Sequence, residues 1–192
     1  MGSTSGMENI IAALEQSNRV RHVSLFLMSW LLEEVFAAMQ VPFPELIELR
    51  FFNLSFKFSN GETMPVIPDS FLDGSAPRLQ YFHLSGIPFP GLPKLLLSAT
   101  HLVYLGLSDI PDFGYISPEA MVAPLSVLSS LGGLSLCFRS PQPRHDLESR
   151  RLPSPKRSTL PALRYINFRG VTEYLEEFVT RVDTPQPQSK VG

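Results

Sequence analysis

The chain of 192 residues has few of the cysteine and histidine side chains that form disulfides or bind metals in many small proteins. Its single cysteine, Cys137, excludes an internal disulfide and fits a reducing, intracellular location, either cytoplasmic or nuclear. Its four histidines have no spacing typical of metal ligands, and one cysteine is too few for a structural zinc site. We therefore expect neither a metal nor another cofactor.

Strong net charge and long hydrophobic runs are also missing. A net charge of −2 provides no general attraction to nucleic acid or to an anionic membrane. The most apolar run, residues 23–32, is too short to span a bilayer, and the N-terminus lacks the apolar core of a signal peptide. Because no secretory signal accompanies it, we interpret the glycosylation sequon at Asn53 as a chance match. We expect partners other than nucleic acid or membrane.

Recognisable catalytic motifs are missing too. The stretch 86–94 (GIPFPGLPK) looks like a phosphate-binding loop, but its prolines remove amide donors and Lys94 does not directly follow the glycine. Residues 133–135 (GLS) lack the closing glycine of a nucleophile elbow. We therefore expect a non-catalytic protein, with an enzyme on an α/β fold as an alternative.

The chain does contain a six-residue phrase, apolar-x-x-apolar-x-apolar, that occurs six times. The phrases begin 23 to 33 residues apart, around the period of a leucine-rich repeat, at Val20, Leu46, Leu79, Leu102, Leu131 and Leu163. Such a unit cannot bury its apolar face alone and must stack on copies of itself. The phrases predict an α/β fold: a short, irregular leucine-rich-repeat solenoid with a curved parallel sheet of about six strands and helices on the convex side.

Helical periodicity and turn residues predict the segments between the strands. Proline accounts for 18 of 192 residues, against an average near 5%, so these segments should be short. Ser29 and Ser117 are candidate N-caps, Gly74 closes a turn, and Pro124 should kink or end its helix. The predicted helices cover residues 9–16, 30–39, 93–98, a segment beginning at 118, and 171–182.

One domain of residues 9–183 follows from this pattern. Residues 1–8 and 184–192 are predicted to be a disordered N-terminus and a disordered tail. Residues 139–161, rich in proline, serine and arginine, are predicted to form a flexible basic loop. The loop holds two Ser-Pro pairs, at Ser140 and Ser154, that suit phosphorylation and a basic run that resembles a nuclear import signal. A merely solvated loop is the simpler interpretation.

Alternation along a strand assigns residues to the two faces of the sheet. The third, fifth and seventh residues of each phrase should point to the open, concave face of the solenoid. Tyrosine, arginine and histidine at these places are typical of protein interfaces, although strands favour tyrosine for packing alone. The candidate protein-binding residues are His22, Glu48, Arg50, Phe52, Tyr81, His83, Tyr104, Tyr165, Asn167 and Arg169.

Five segments resemble the leucine-rich-repeat portion of a large fungal family of F-box-like proteins. The resemblance covers about residues 9–183, and the segments are 9–20 (NIIAALEQSNRV), 68–79 (PDSFLDGSAPRL), 86–95 (GIPFPGLPKL), 114–121 (GYISPEAM) and 170–176 (GVTEYLE). It implies substrate recognition for a cullin-type ubiquitin ligase, in which an F-box binds a Skp-type adaptor and the repeats bind the substrate. It implies no catalytic residues.

No F-box-like segment precedes the repeats, so the resemblance implies a fragment or a shortened relative. The adaptor and the cullin would then be partners only if an F-box is supplied elsewhere. The alternative is a general scaffold, or a fragment without function, unrelated to ubiquitination. Repeats without caps expose apolar ends and strand edges, so we expect marginal stability and self-association through the first strand or the last helix.

Overall fold

The computed structural model describes residues 4–55, 64–139 and 157–183, which contain eight strands. Six of them form one parallel sheet in the order β1-β2-β3-β4-β5-β7, and β6 and β8 form a separate parallel pair. The α/β class and the six-stranded parallel sheet are therefore confirmed. The strands are β1 His22–Leu27, β2 Glu48–Asn53, β3 Tyr81–Ser85, β4 Tyr104–Ile110, β5 Gly133–Phe138, β6 Ser158–Thr159, β7 Tyr165–Arg169 and β8 Val182–Asp183.

The described residues also contain five α-helices, all of them short. They are α1 Thr4–Leu14, α2 Ser29–Ala38, α3 Leu92–Ser98, α4 Pro118–Leu125 and α5 Thr172–Thr180, with two 3-10 turns at Phe71–Gly74 and Asp112–Gly114. Within the described ranges, no helix has the length and apolar character needed to cross a membrane.

The first helix begins earlier than the sequence predicts. Residues 1–8 were expected to be disordered, but α1 already includes residues 4–8, and only residues 1–3 lie outside the described ranges. Met7 is 7% exposed and belongs to the hydrophobic core. Burial of this side chain explains why the helix extends toward the N-terminus, because packing of an apolar face supplies most of a short helix's stability.

Of the two predicted N-caps, Ser29 is wrong and Ser117 is confirmed. Ser29 is not the N-cap of α2, since Met28 has that position, and the Ser29 hydroxyl instead donates to Asn53 across the fold. Ser117 does cap α4: its Oγ accepts from the Ala120 amide at 3.2 Å. As expected, the helix that contains Pro124 ends one residue later.

The last helix is shorter than the predicted 171–182, and its apolar stripe is only partly covered. Tyr174 and Phe178 are buried, but Val179 is 47% exposed, and Val182 lies in β8 rather than in the helix. The hydrogen bonds of β8 to β6 explain the early end, since a strand cannot also continue the helical pattern.

The prediction of a flexible loop over residues 139–161 is wrong at the C-terminal end of that range. Ser158–Thr159 form β6, whose neighbouring amide at Leu160 donates to the Asp183 carbonyl at 2.9 Å. Leu160 is fully buried in the core. Residues 140–156, with both Ser-Pro pairs and most of the basic run, lie outside the described residues, as does the tail 184–192.

One backbone ladder sets the register of the whole sheet. Each strand of the sheet begins at the third residue of its phrase. The amides of the second and third residues both donate to the carbonyl of the second residue in the preceding phrase. The five accepting carbonyls, at 2.8 to 3.1 Å, belong to Arg21, Ile47, Gln80, Val103 and Gly132. Equivalent residues of successive phrases therefore lie side by side.

A turn that the phrase did not reveal precedes five of the six strands. In each case the amide of the first apolar residue donates to the carbonyl three residues earlier, in a turn. The residues that accept are all buried, although they differ in size: Phe43, Ala76, Ala99, Leu128 and Leu160. The structural unit is therefore longer than the six residues seen in the sequence.

The core lies between the helices and the face of the sheet formed by the fourth and sixth phrase residues. In the second to fifth phrases these residues form one buried cluster with the apolar residues of the helices, whereas Leu25 and Phe168 are partly buried against it and Ile166 is exposed. The centre of the cluster is a group of phenylalanines in edge-to-face contact, with centroids 5.5 to 6.3 Å apart: Phe36, Phe51, Phe71, Phe82 and Phe89. Such pairs add about 0.5–1.5 kcal/mol each beyond their buried area.

The turn at Phe71–Gly74 stores backbone strain beside this cluster. Gly74 closes it, as predicted, but Leu72 and Asp73 also have positive φ, 53° and 54°. Each such residue costs roughly 1–2 kcal/mol when it is not glycine. Leu72 offsets that cost because it is fully buried and because its amide donates to the Met39 carbonyl at 2.8 Å.

The two ends of the sheet are covered differently. At the first strand, Val23 is 6% exposed, and α1 packs beside α2. At the last strand, the equivalent residue Ile166 is 36% exposed, whereas Leu134 on the neighbouring strand is fully buried. Among the described strands none pairs with the outer edge of β7. The C-terminal end of the sheet is therefore the less protected one.

Asn53 joins three neighbouring segments from a buried position. It is 1% exposed, and its Nδ2 donates to the Gly86 carbonyl at 3.2 Å. Its Oδ1 accepts from the Ser55 amide at 2.9 Å and from the Ser29 hydroxyl at 3.3 Å. With its amide nitrogen engaged inside the protein, Asn53 is not placed to accept a glycan.

We expect Asn53→Ala to lower the free energy of unfolding by about 1–3 kcal/mol, because the Gly86 carbonyl loses the donor that the buried Asn53 side chain supplies. Urea denaturation followed by circular dichroism measures the change. The control is Asn167→Ala on the exposed face, for which a loss of about 0.5 kcal/mol or less is expected. Equal losses in the two variants would contradict a special role for Asn53.

Candidate functional site

The face of the sheet opposite the helices carries all ten candidate binding residues. Register places the third phrase residues side by side, from His22 through Glu48, Tyr81, Tyr104 and Gly133 to Tyr165. The fifth residues form a second column, which contains Arg50, His83 and Asn167. We call this surface, made by the third, fifth and seventh phrase residues, the open face.

Charged side chains meet at the β1–β2 side of the open face. Glu48 lies between two partners: its Oε1 is 2.6 Å from Arg50 Nε, and its Oε2 is 3.4 Å from His22 Nδ1. The side chains of Arg50 and His22 are 45% and 61% exposed, so solvent screens both contacts and each contributes little to stability. These three side chains present polar atoms to solvent, and their mutual contacts add little to the free energy of unfolding.

A line of rings crosses the open face from β1 to β4. Phe26 and Phe52 are stacked with centroids 4.2 Å apart and planes 3° apart. His83 follows at 5.0 Å from Phe52, and Tyr104 at 6.3 Å from His83. We call these four residues the aromatic row. Phe26, 58% exposed, was not among the candidate residues, although its seventh place in the first phrase already indicated this face.

Two glycines make room for the rings of the aromatic row. A Cβ added at Gly106 would lie 2.8 Å from His83 Nδ1 and 2.9 Å from Tyr104 Cε1. One added at Gly133 would lie 2.9 Å from Tyr104 Cδ2. All three distances are too short for ordinary contacts, so the His83 and Tyr104 rings can lie against the sheet only because these positions lack side chains.

Gly106→Ala should therefore displace the rings of His83 and Tyr104 toward solvent. We expect the free energy of unfolding to fall by about 1 kcal/mol, which is small for an overpacking substitution because both rings are free to move outward. Ring chemical shifts in NMR spectra and urea denaturation measure the two effects. Gly132→Ala is the matched control, since an added Cβ there meets nothing nearer than 3.7 Å. Unchanged ring shifts in Gly106→Ala would contradict the role assigned to this glycine.

His83 is a partly buried titratable group in the centre of the aromatic row. Its Nε2 lies 3.0 Å from Ser108 Oγ. Burial lowers the pKa of His83 below its ordinary value, and Arg50 lowers it further, while Asp109 acts in the opposite direction. His83 is therefore neutral at physiological pH and serves as a hydrogen-bonding aromatic ring in the row.

This lowered pKa predicts how stability depends on pH. Between the ordinary value of 6.5 and the lower value in the folded protein, the unfolded state binds more protons, so acidification through this range lowers the free energy of unfolding. His83→Gln should show a smaller loss than the wild-type protein between pH 7 and pH 5, as measured by urea denaturation at each pH. The other histidines are common to both proteins, so identical pH profiles would contradict the prediction.

The remaining candidate residues lie on β7 and are separated from the aromatic row by the small side chains of β5. Tyr165 is 56% exposed, and Asn167 donates to Ser135 Oγ at 3.1 Å and lies 3.7 Å from Cys137 Sγ. Arg169 pairs in register with Cys137 and is exposed. Tyr81, which lies on β3, is 39% exposed. With Tyr81 and the residues of β7, the open face extends across all six strands of the sheet.

The open face holds a pair of side chains that resembles part of a catalytic triad. Ser108 and His83 are hydrogen-bonded, as a nucleophile and its base would be, but the nearby carboxylate of Asp109 accepts from Ser85 at 3.2 Å. A triad needs that third group to orient the base. Within residues 4–55, 64–139 and 157–183, no three His, Cys, Asp or Glu side chains are grouped to hold a metal ion.

Comparisons with known proteins do not assign this site. No protein-family model matches the chain, and no curated protein or solved structure is significantly similar to it. The resemblance to F-box-like repeats therefore stays a prediction, and the function must be argued from the open face itself.

Proposed function

We propose that the chain is a non-catalytic protein-binding module that uses the open face. The observation that carries this proposal is the exposure of large aromatic side chains on the open face. Phe26 is 58% exposed, and Tyr165 on the far strand is 56% exposed. Aromatic side chains with arginine and histidine beside them are typical of protein interfaces, because they give contact area at a low entropic cost.

We infer that the fold is a short, irregular leucine-rich-repeat solenoid in which the open face is concave. Three observations support this inference: the strands follow chain order, each pair uses the same carbonyl ladder, and the same turn precedes five strands. Each unit then contacts mainly its neighbours, as in repeat proteins. Concave sheet surfaces of such proteins commonly hold a partner.

We propose substrate recognition for a cullin-type ubiquitin ligase as the specific form of this binding, in the cytoplasm or the nucleus. The support is the resemblance to F-box-like repeats in residues 9–183. In this proposal the open face binds the substrate, and the adaptor and cullin join only through an F-box supplied elsewhere. The competing proposals are a general scaffold, or a fragment without its own partner.

A cross-linking experiment with a matched control tests the open face. Phe26, Tyr81 and Tyr165 are replaced together by alanine, and the control replaces Leu97, Val127 and Val179, which are 55%, 40% and 47% exposed outside the open face. Native extract is cross-linked to each protein, and captured proteins are quantified by mass spectrometry. Interface aromatics often contribute more than 1 kcal/mol each, so we expect at least about a tenfold loss for the first variant only.

The identity of the lost proteins separates the proposals. Recovery of a Skp-type adaptor and a cullin with the affected partner supports substrate recognition, whereas the partner without them supports a scaffold. Equal recovery by both variants, with both folded by circular dichroism, would contradict binding through the open face. Self-association through the first strand or the last helix stays a prediction.

A further inference from the structure

A second surface, on the helical side, has no role in the proposed function. The helices α1 and α2 pack against each other and leave an open groove of about 390 Å³ along their contact. Its apolar lining includes Met7 and Ile11 from α1 and Trp30 and Leu31 from α2. Trp30 is 56% exposed, which is unusual for the largest apolar side chain of a protein.

Three carboxylates border this groove. Glu8 lies on α1, and Glu15 directly follows the last residue of that helix, two helical turns or about 10 Å further along. Glu34 lies on α2, one turn after Trp30. None of them forms an ion pair with a cation of the described residues. The groove is therefore an apolar channel with an unneutralised acidic border.

We propose that this groove binds a basic amphipathic helix of a partner protein. An amphipathic helix in a groove buries its apolar stripe on the floor and leaves its flanks at the rim. Lysines or arginines two turns apart on such a helix would match the spacing of Glu8 and Glu15. Binding would cover Trp30, and the ion pairs would set the orientation of the helix.

The acidic border argues against two other occupants. A second copy that packs symmetrically on this groove would bring Glu8, Glu15 and Glu34 toward their own equivalents, and like charges at an interface cost binding energy. An anionic membrane surface would be repelled for the same reason. A helix with an apolar stripe and cationic flanks complements both the apolar floor and the acidic border of the groove.

Trp30 is the only tryptophan of the chain, so its fluorescence reports on this groove directly. The probe is a tryptophan-free synthetic helical peptide of 18 residues, with leucines along one face and lysines on both flanks. Its twin has glutamate at every lysine. Titration of the full chain with the lysine peptide should shift Trp30 emission to shorter wavelength in a saturable way, with an affinity that weakens as salt is added.

Glu8→Gln, Glu15→Gln and Glu34→Gln together should weaken binding of the lysine peptide about tenfold. The control combines Glu119→Gln, Glu173→Gln and Glu176→Gln, which change the net charge equally on exposed parts of α4 and α5, and it should retain the affinity of the wild-type protein. Leu31→Asp, checked for folding by circular dichroism, should abolish the shift in emission.

Three results would overturn the proposal. The first is equal binding of the glutamate twin, which would show that charge does not select the occupant. The second is equal weakening by the control variant, which would mean that net charge alone attracts the peptide. The third is a shift of Trp30 emission with protein concentration in the absence of peptide, together with dimers in sedimentation, which would assign the groove to a second copy.

Discussion

The ladder in which one carbonyl accepts two amides of the next phrase is the constraint on which the rest of the structure depends. It holds the second residues of successive phrases side by side through all five contacts of the sheet. Since side chains alternate along a strand, a slip by one residue would exchange the buried and exposed sets. The ladder therefore decides at once which residues form the core and which form the open face.

The same constraint makes every unit dependent on its neighbours. The sixth residue of the second phrase, Phe51, is buried because it meets Phe36 of one connecting segment and Phe71 of the next. Asn53 links the same two segments by accepting hydrogen bonds from Ser29 and Ser55. Where neighbours end, burial falls, as Ile166 shows at β7. Loss of protection at that end is a direct consequence of building a sheet from units that cannot bury their own faces.

Local pattern predicted the strands and both faces because a phrase of six residues already carries the alternation. It also identified nearly all of the open face, including the seventh place at which Phe26 stands. It failed where a partner distant in sequence decides the outcome. Ser158–Thr159 and Leu160 have the sequence of a loop, but Ser158–Thr159 pair with Val182–Asp183 and Leu160 is buried in the core. Ser29 looks like a helix cap until Asn53 offers its hydroxyl a buried acceptor. The groove, likewise, exists only once α1 and α2 meet.

The two candidate surfaces differ in chemistry and lie on opposite sides of the sheet. The open face combines aromatic rings with the balanced charges of Glu48 and Arg50, whereas the α1–α2 groove is apolar with acidic borders. The core separates them, because the helices lie on the face of the sheet opposite the aromatic row. A partner on one surface therefore does not block the other. Two partners of different charge could be held at once, and Trp30, which lies outside the open face, would respond to only one of them.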